Sequence, residues 1–479
     1  MSKRTPITVI PGDGIGPEVV GAALRVVAAS GVNLEVEEHE AGSKVFTKGI
    51  ATGVPKETIN SIERTKVVLK GPLETPIGYG NKSANVTLRT LFETFGNLRP
   101  VRELPGVKTP FSGRKLDIVI VRENVEDLYT GIEYMQTPGV AESLKLISRS
   151  GCEKIVQLAF EYAITAGRQR VHCATKANIM KLSEGLLQHT FEEMSAAYPQ
   201  ITSKHILIDN CAHQLAMRPE QFDVIVTTNM NGDILSDLTS GLTGGLGFAP
   251  SANIGNDVSI FEAVHGSAPD IAGKNIANPT ALIFSAAMML RHIGEGKAAN
   301  AIEQAILVTL ESGIRSGDMA GDSKPASTSE FADAVIANIG RTSHTAPSRP
   351  YQAIKLTPRS ATVHTLPTTS RRVVGVDVYV ETALLPGELA EKIEAAVIGS
   401  AGRLLMISNR GTVVYPPTDL KVGLVDHYRC RFVPCETNAD LSDAEVLEIL
   451  KRVGQVGKWM HVEKLQQFDG VDAFSKSGT

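Results

Sequence analysis

Short apolar runs and longer amphipathic ones alternate along most of this 479-residue chain. TPITVI, KVVLKG, LDIVIV, RVHCAT, KHILID and FDVIVTT are β-rich runs of strand length, whereas PEVVGAALRVVAAS, CEKIVQLAFEYAITAG and SEGLLQHTFEEMSAAY repeat apolar residues at helical spacing. Such alternation predicts α/β layers around a largely parallel sheet. The longest apolar run, ALIFSAAMML from Ala281 to Leu290, falls short of the ~20 residues a bilayer span needs and predicts a buried helix. The pattern changes after Gly340. Arg341 to Arg372 is rich in Ser, Thr and Pro and has no acidic residue, the composition of a linker or extended arm. Beyond it, VVGVDVYVE, ELAEKIEAAV, RLLMIS, HYRCRFVPCE and DAEVLEILKRVG predict a separate α+β module over residues 373–479.

Composition removes several function classes. A net charge of −4 gives no electrostatic case for nucleic acid or an anionic membrane, and apolar and charged fractions of 42% and 21% are those of a globular protein with a large core. The five cysteines include no C-x-x-C pair, which argues for reduced thiols and against a zinc cluster. MSKRTPITVI passes from a short charged lead into a strand without a signal-peptide run, so the expectation is a cytoplasmic protein.

VIPGDGIGPEVV, Val9 to Val20, runs from strand through glycines into helix. Gly12 and Gly14 fit the first two positions of a dinucleotide fingerprint, but the third falls on Pro17, a good helix start and a poor phosphate turn. The acidic run NLEVEEHE reads as a solvated edge, and any nucleotide must bind elsewhere. Chemistry concentrates in later segments. In KGPLETPIGYGNKSANVTLRTLFETFGNLRPVR a glycine-rich loop enters a helix near Ser83, with Arg89 on that helix and Arg99 in the extended stretch after it. RENVEDLYTGIEY adds Arg122 and Tyr129, and TKANIMK places Lys176 directly after a strand. Asp209 ends HILID, while Asp233 and Asp237 sit four apart and share a helix face, where they repel each other unless a hard cation such as Mg²⁺ or Mn²⁺ lies between them. Acids, arginines, a lysine and a tyrosine on loops of one α/β chain suit a metal-assisted reaction on a polycarboxylate.

PGDGIGPE, KGPLETP, KSANVTLR, NLRPVR, RENVEDLYTGIE, TKANIMK, NGDILSDLTSGLTGGLGFAPSANIG and HGSAPDIAGKNIANP together resemble the β-decarboxylating isocitrate and 3-isopropylmalate dehydrogenases, in order over about residues 5–340. The tail is similar to that of long-form bacterial isocitrate dehydrogenases. The resemblance implies an isopropylmalate-dehydrogenase-like, non-Rossmann α/β core. Its large cofactor-binding domain would comprise residues 1–95 and 245–340, and its small domain, with a dimer-forming segment, residues 96–244. A linker over 341–372 and the C-terminal α+β domain would follow.

The same resemblance implies substrate contacts from Arg89, Arg99 and Arg122. Ser83 and Asn85 stand where isopropylmalate enzymes carry apolar residues, which points to isocitrate; isopropylmalate, homoisocitrate and a regulatory subunit of a hetero-oligomer are the alternatives. It implies Mg²⁺ or Mn²⁺ on Asp209, Asp233 and Asp237, Lys176 as general base and Tyr129 as proton donor. Lys176 and Asp209 would come from the neighbouring copy of a homodimer or higher homo-oligomer. The cofactor loops would include Glu74, Thr75, His265, Gly266, Ala268, Asp270, Ile271 and Asn278. Because NADP-using isocitrate dehydrogenases typically carry Lys-Tyr where Asp270 and Ile271 stand, the expectation is an NAD-dependent enzyme.

Overall fold

The computed structural model describes residues 4–74, 83–319, 324–345, 365–417, 419 and 422–476. The chain divides into two compact units, Met1–Thr130 with Lys145–Ala361, and Gly131–Leu144 with Thr362–Thr479. No helix among the described residues is long and apolar enough to cross a membrane.

In the first unit the chain runs β1 (Thr5–Ile10), α1 (Gly16–Ala29), β2 (Leu34–Glu38), α2 (Ser43–Thr47), α3 (Lys56–Thr65), β3 (Val67–Lys70), α4 (Ala84–Leu91), β4 (Gly96–Arg102) and β5 (Asp117–Glu123). The hairpin β6 (Glu133–Thr137) and β7 (Val140–Ser143) belongs to the second unit, although by sequence it interrupts the first. The first unit resumes with α5 (Arg149–Thr165), β8 (Arg170–Thr175), α6 (Ser183–Ser195), β9 (Thr202–Leu207), α7 (Ile208–Met217), β10 (Val224–Thr227), α8 (Asn229–Thr243), β11 (Pro250–Ile254), β12 (Ser259–Ala263), α9 (Thr280–His292), α10 (Gly296–Glu311) and α11 (Thr328–Ala337).

One ten-stranded sheet results, ordered β2-β1-β3-β12-β11-β4-β5-β10-β8-β9. Its flanks are parallel, as strand-helix alternation requires, and its middle is antiparallel where β11 pairs with β12 and β4, and β4 with β5. The acidic run at Glu35 and Glu37 is the edge strand β2, with Glu37 paired to Arg64. α9, apolar all round, is buried along nearly its whole length, as a helix without a polar face must be.

In the antiparallel middle, residues alternate between the two sheet faces. Leu98, Ala252 and Ile254 enter the main core, while the opposite face carries polar residues in register. Lys70 lies beside Glu262 and Glu262 beside Ser251; Asn253 lies beside Asn97 and Asn97 beside Arg122. A buried polar floor of this kind costs stability unless every group is paired.

The second unit is a six-stranded antiparallel sheet, ordered β15-β14-β16-β13-β17-β18, with two helices. Its elements are β13 (Arg371–Glu381), α12 (Pro386–Val397), β14 (Gly402–Asn409), β15 (Thr412–Tyr415), β16 (His427–Pro434), α13 (Asp443–Val453), β17 (Lys458–Phe468) and β18 (Val471–Asp472). Val376, Val378 and Val380 of β13 meet Leu389 and Ile393 of α12 and Ile449 of α13 in a core of their own. The β6–β7 hairpin is held there by Thr137, whose hydroxyl donates to Asp426 at 2.9 Å, and by Glu142, 3.6 Å from His427 and 3.5 Å from His461.

Candidate active site

The polar floor pairs internally around Glu262. This fully desolvated carboxylate is ion-paired with Lys70, lies 3.4 Å from Arg89 and accepts the Asn253 amide at 2.7 Å. Burial alone would raise its pKa, but Lys70 and Arg89 overcome that and hold it at about 2. Asn253 also accepts from Asn97 at 2.8 Å and from Asn124 at 3.0 Å, and Asn97 in turn accepts from Arg99 Nε at 2.7 Å. The floor therefore fixes two of the expected arginines, Arg89 and Arg99. The third, Arg122, is locked by Asn229, which accepts from both Nε and Nη2 at 3.0 and 2.7 Å.

Arg99 and Arg122 meet α8 directly, and Arg89 lies near enough for its charge to act on Asp233. Arg99 Nη1 lies 3.3 Å from Asp233, 3.7 Å from Asp237 and 2.5 Å from the Ser236 hydroxyl, while Arg122 pairs with Asp233. Asp233 and Asp237 share a helix face as the spacing required. Burial and the neighbouring Asp233 raise the Asp237 pKa against the pull of Arg99, whereas Arg122, Tyr129 and Arg99 bring Asp233 below its ordinary value despite burial. Tyr129 donates its hydroxyl to Asp233 and lies under the Arg122 guanidinium, 5.0 Å from ring centroid to Cζ. Burial and that hydrogen bond raise the phenol pKa, so it stays protonated at neutral pH and can donate a proton. Arg89 Nε and Asn85 Oδ1 are among the buried polar atoms here with no partner among the described residues. Asn85 follows Ser83 at the start of α4 and donates to the Leu73 carbonyl at 3.3 Å.

Lys176 and Asp209 form a second cluster. They pair at 2.9 Å, with Asp209 in the first turn of α7 and not at the end of a strand, because KHILID divides between β9 and the helix. Glu184, fully buried, accepts the Lys176 backbone N–H at 2.9 Å and binds Lys145 at 2.9 Å, and Lys145 also pairs with Asp127. Among the described residues no group of three or more His, Cys, Asp or Glu side chains is arranged to hold a metal ion. One copy of the chain thus brings Asp233 and Asp237 together and leaves Asp209 with Lys176.

The glycines of PGDGIGPE have a role other than phosphate binding. Gly12 has φ +78° and Gly14 φ +56°, and a Cβ on either would lie 2.3 Å from the Pro72 carbonyl oxygen or 2.0 Å from that of Ser267. The turn packs backbone to backbone against the loops carrying Glu74 and His265–Asn278. Thr75 lies outside the described residues. In the second loop, Gly266, Ala268 and Asp270 are exposed, Ala268 has φ +41°, and Ile271 packs on the main core. His265 Nε2 is buried without a partner among the described residues, and Asn278 donates to Asp318 at 2.9 Å.

Sequence reasoning missed the supports: Lys70, Glu262, Asn97, Asn253, Asn229, Ser236, Glu184, Lys145 and Asp127. A signal existed for some. Lys70 ends the apolar run VVLK and Glu262 interrupts SIFEA, and a charge within a buried strand demands a partner.

The chain matches the family described as isocitrate/isopropylmalate dehydrogenase over residues 6–335, and the bacterial isocitrate dehydrogenase C-terminal domain over residues 371–479. A Thermus thermophilus protein named as an NADP isocitrate dehydrogenase is 59% identical over 99% of this chain and 96% of its own length. One of the same name from Rickettsia typhi is 41% identical over 99% of each. A crystal structure of a Thermus thermophilus protein has a TM-score of 0.95 at 59% identity, covering 99% of this chain and 96% of that one. The relatives' names overturn the expectation of NAD from Asp270 and Ile271. That expectation treated residues 270 and 271 as a pair, but Ile271 is committed to the core and only the exposed Asp270 faces outward. With both segments matched, the chain belongs to the isocitrate/isopropylmalate dehydrogenase family, in the form that carries the bacterial isocitrate dehydrogenase C-terminal domain.

Proposed function

We propose that the protein catalyses the oxidative decarboxylation of isocitrate to 2-oxoglutarate and CO₂, with a divalent cation and NADP as hydride acceptor. One observation favours a tricarboxylate over the dicarboxylate isopropylmalate. Around α8 three arginines face two aspartates, a surplus of one positive charge, with Lys70 and Glu262 cancelling beside them. A divalent cation with a tricarboxylate brings that sum to zero, whereas a dicarboxylate leaves one positive charge uncompensated beside the buried Arg99 and Arg122. The unpartnered Arg89 Nε and the polar Ser83 and Asn85 fit a further carboxylate at the start of α4.

Asp233 and Asp237 supply the all-oxygen donors that Mg²⁺ or Mn²⁺ prefers, with Asp209 from a second copy as a third. A bound divalent cation would supply Lewis-acid polarisation of the substrate's oxygens, and a bound nicotinamide would supply the hydride acceptor. This chain's residues do the rest. Arg89, Arg99 and Arg122 grip carboxylates through paired hydrogen bonds, and their buried supports keep them in place without reorganisation. Lys176, in contact with Asp209, takes the hydroxyl proton, and Tyr129 returns a proton to carbon after CO₂ leaves.

A homodimer with shared sites accommodates the two separate clusters. Ile179, Leu182, Met217 and Ile234, all exposed, offer apolar surface close in sequence to Lys176, Asp209 and Asp233. Five free cysteines fit a reducing cytoplasm. The acceptor follows the relatives' names; the phosphate-binding cations must then come from residues other than 270 and 271. Initial rates with isocitrate, 3-isopropylmalate and homoisocitrate, each with NADP or NAD and with or without Mg²⁺, test the reading. Isocitrate with NADP and Mg²⁺ is expected to give the highest kcat/KM; a preference for another acid or for NAD would overturn the corresponding half.

A further inference from the structure

The turn at Pro11–Glu18 lacks the third glycine of a phosphate loop, yet its atoms reach both segments that the proposed reading gives to the dinucleotide. Toward the first, Asp13 N donates to the Pro72 carbonyl at 2.8 Å, and the Asp13 carboxylate accepts from Glu74 N at 2.8 Å. The same carboxylate accepts from Ser43 N and Oγ at 3.0 and 2.7 Å, so Asp13 is fixed from two sides. Toward the second, Ile15 N donates to the Ser267 carbonyl at 2.8 Å, and Glu18, in the first turn of α1, accepts from Asn275 N at 2.9 Å. The Asn275 side chain and carbonyl are held in addition by Ser329 and Thr328 of α11.

Resting on the proposed function, we infer that the Pro11–Glu18 turn is a clamp that sets the spacing of the two dinucleotide loops, with Asp13 and Glu18 as positioning residues that need not touch the cofactor. The contacts are directional and local. Asp13 holds the strand-end loop at Glu74, Ile15 holds the start of the 265–278 loop, and Glu18 holds its far end at Asn275. Glycine at 12 and 14 is what allows the backbones this close. A loop otherwise free to fluctuate loses binding-competent population when an anchor is removed, which weakens the ligand by the same factor.

Glu18→Ala tests the clamp with little risk to folding, because the half-buried side chain makes its hydrogen bond to the loop and its other carboxylate oxygen, Oε1, has no partner among the described residues to lose. KM for the dinucleotide is expected to rise about fivefold, with kcat and KM for isocitrate changed by less than about twofold, and Glu18→Gln, whose amide oxygen can still accept, should restore it. A dinucleotide KM within about twofold of the parent, or a parallel rise in isocitrate KM, would overturn the clamp. Hydrogen exchange gives a readout independent of activity: in Glu18→Ala, protection should fall in peptides covering residues 266–277 and stay unchanged in α9, whereas unaltered protection in the loop would contradict the inference. A parent enzyme that oxidises no isocitrate with any dinucleotide would sink the proposed function instead, and the exchange result would still report on the anchor.

Discussion

Tyr129 shows how much one side chain's chemistry depends on what surrounds it. Its hydroxyl donates to Asp233, its ring lies against Arg122, and burial keeps it protonated. Tyr129→Phe removes the proposed proton donor while leaving the arginines in place, so kcat should fall ~100-fold or more with KM for isocitrate nearly unchanged. A steady-state comparison checks this, and a rise in KM alone would assign Tyr129 to binding. Glu262 acts from beneath. Glu262→Gln would leave Lys70 buried without its counter-charge, a loss of about 3 kcal/mol or more, seen as a lower Tm together with weaker isocitrate binding through Arg89. The candidate site residues were legible in the sequence as charged and polar side chains gathered in a few segments, although Arg99 and Arg122 lie within β4 and β5, Arg89 in the last turn of α4, and Asp233 and Asp237 along α8. Those that hold them were not. Asn97, Asn253 and Glu262 meet only through sheet register, and register depends on which strands become neighbours, a long-range fact that no local pattern carries.

Strands and helices with strong periodicity emerged where the pattern placed them, and the failures have physical causes. KHILID is apolar through its middle, so nothing local says that the strand stops at Leu207 and α7 starts at Ile208. β17, KWMHVEKLQQF, is mostly polar and partly exposed; its stability comes from pairing along β13 and not from an apolar face. β8 supplies a pH-dependent test. His172 on this strand is buried edge-to-face against Phe222, with ring centroids 4.8 Å apart, and burial, aided by Arg170 and Lys204, lowers its pKa to about 4. Between pH ~6.5 and about 4 the unfolded chain binds a proton that the folded chain refuses, so stability falls as pH falls through that window, by about 3 kcal/mol in total. His172→Leu should flatten the decline of Tm measured from about pH 7 to pH 4; an identical slope in both proteins would place the acid sensitivity elsewhere.

At the scale of the whole molecule, the sequence marked the composition break after Gly340 and the character of the module beyond it. The membership of Gly131–Leu144 in that second unit could not be read, because a hairpin's partner is chosen by Glu142 and Thr137 meeting residues about 290–320 positions away. The two clusters of the candidate site raise the largest question. Arg99, Arg122, Tyr129, Asp233 and Asp237 assemble within one chain, while Lys176 and Asp209 pair apart from them. If each site draws the first set from one copy and the second from its partner, then Lys176→Met and Asp233→Asn damage different halves of it. Coexpression of the two variants with different affinity tags, followed by sequential purification, isolates the mixed dimer. Each homodimer should be inactive with isocitrate. The mixed dimer holds one doubly damaged site and one intact site, and its isocitrate oxidation rate should be about half that of the parent. A mixed dimer as inactive as either homodimer would contradict a site built from two copies.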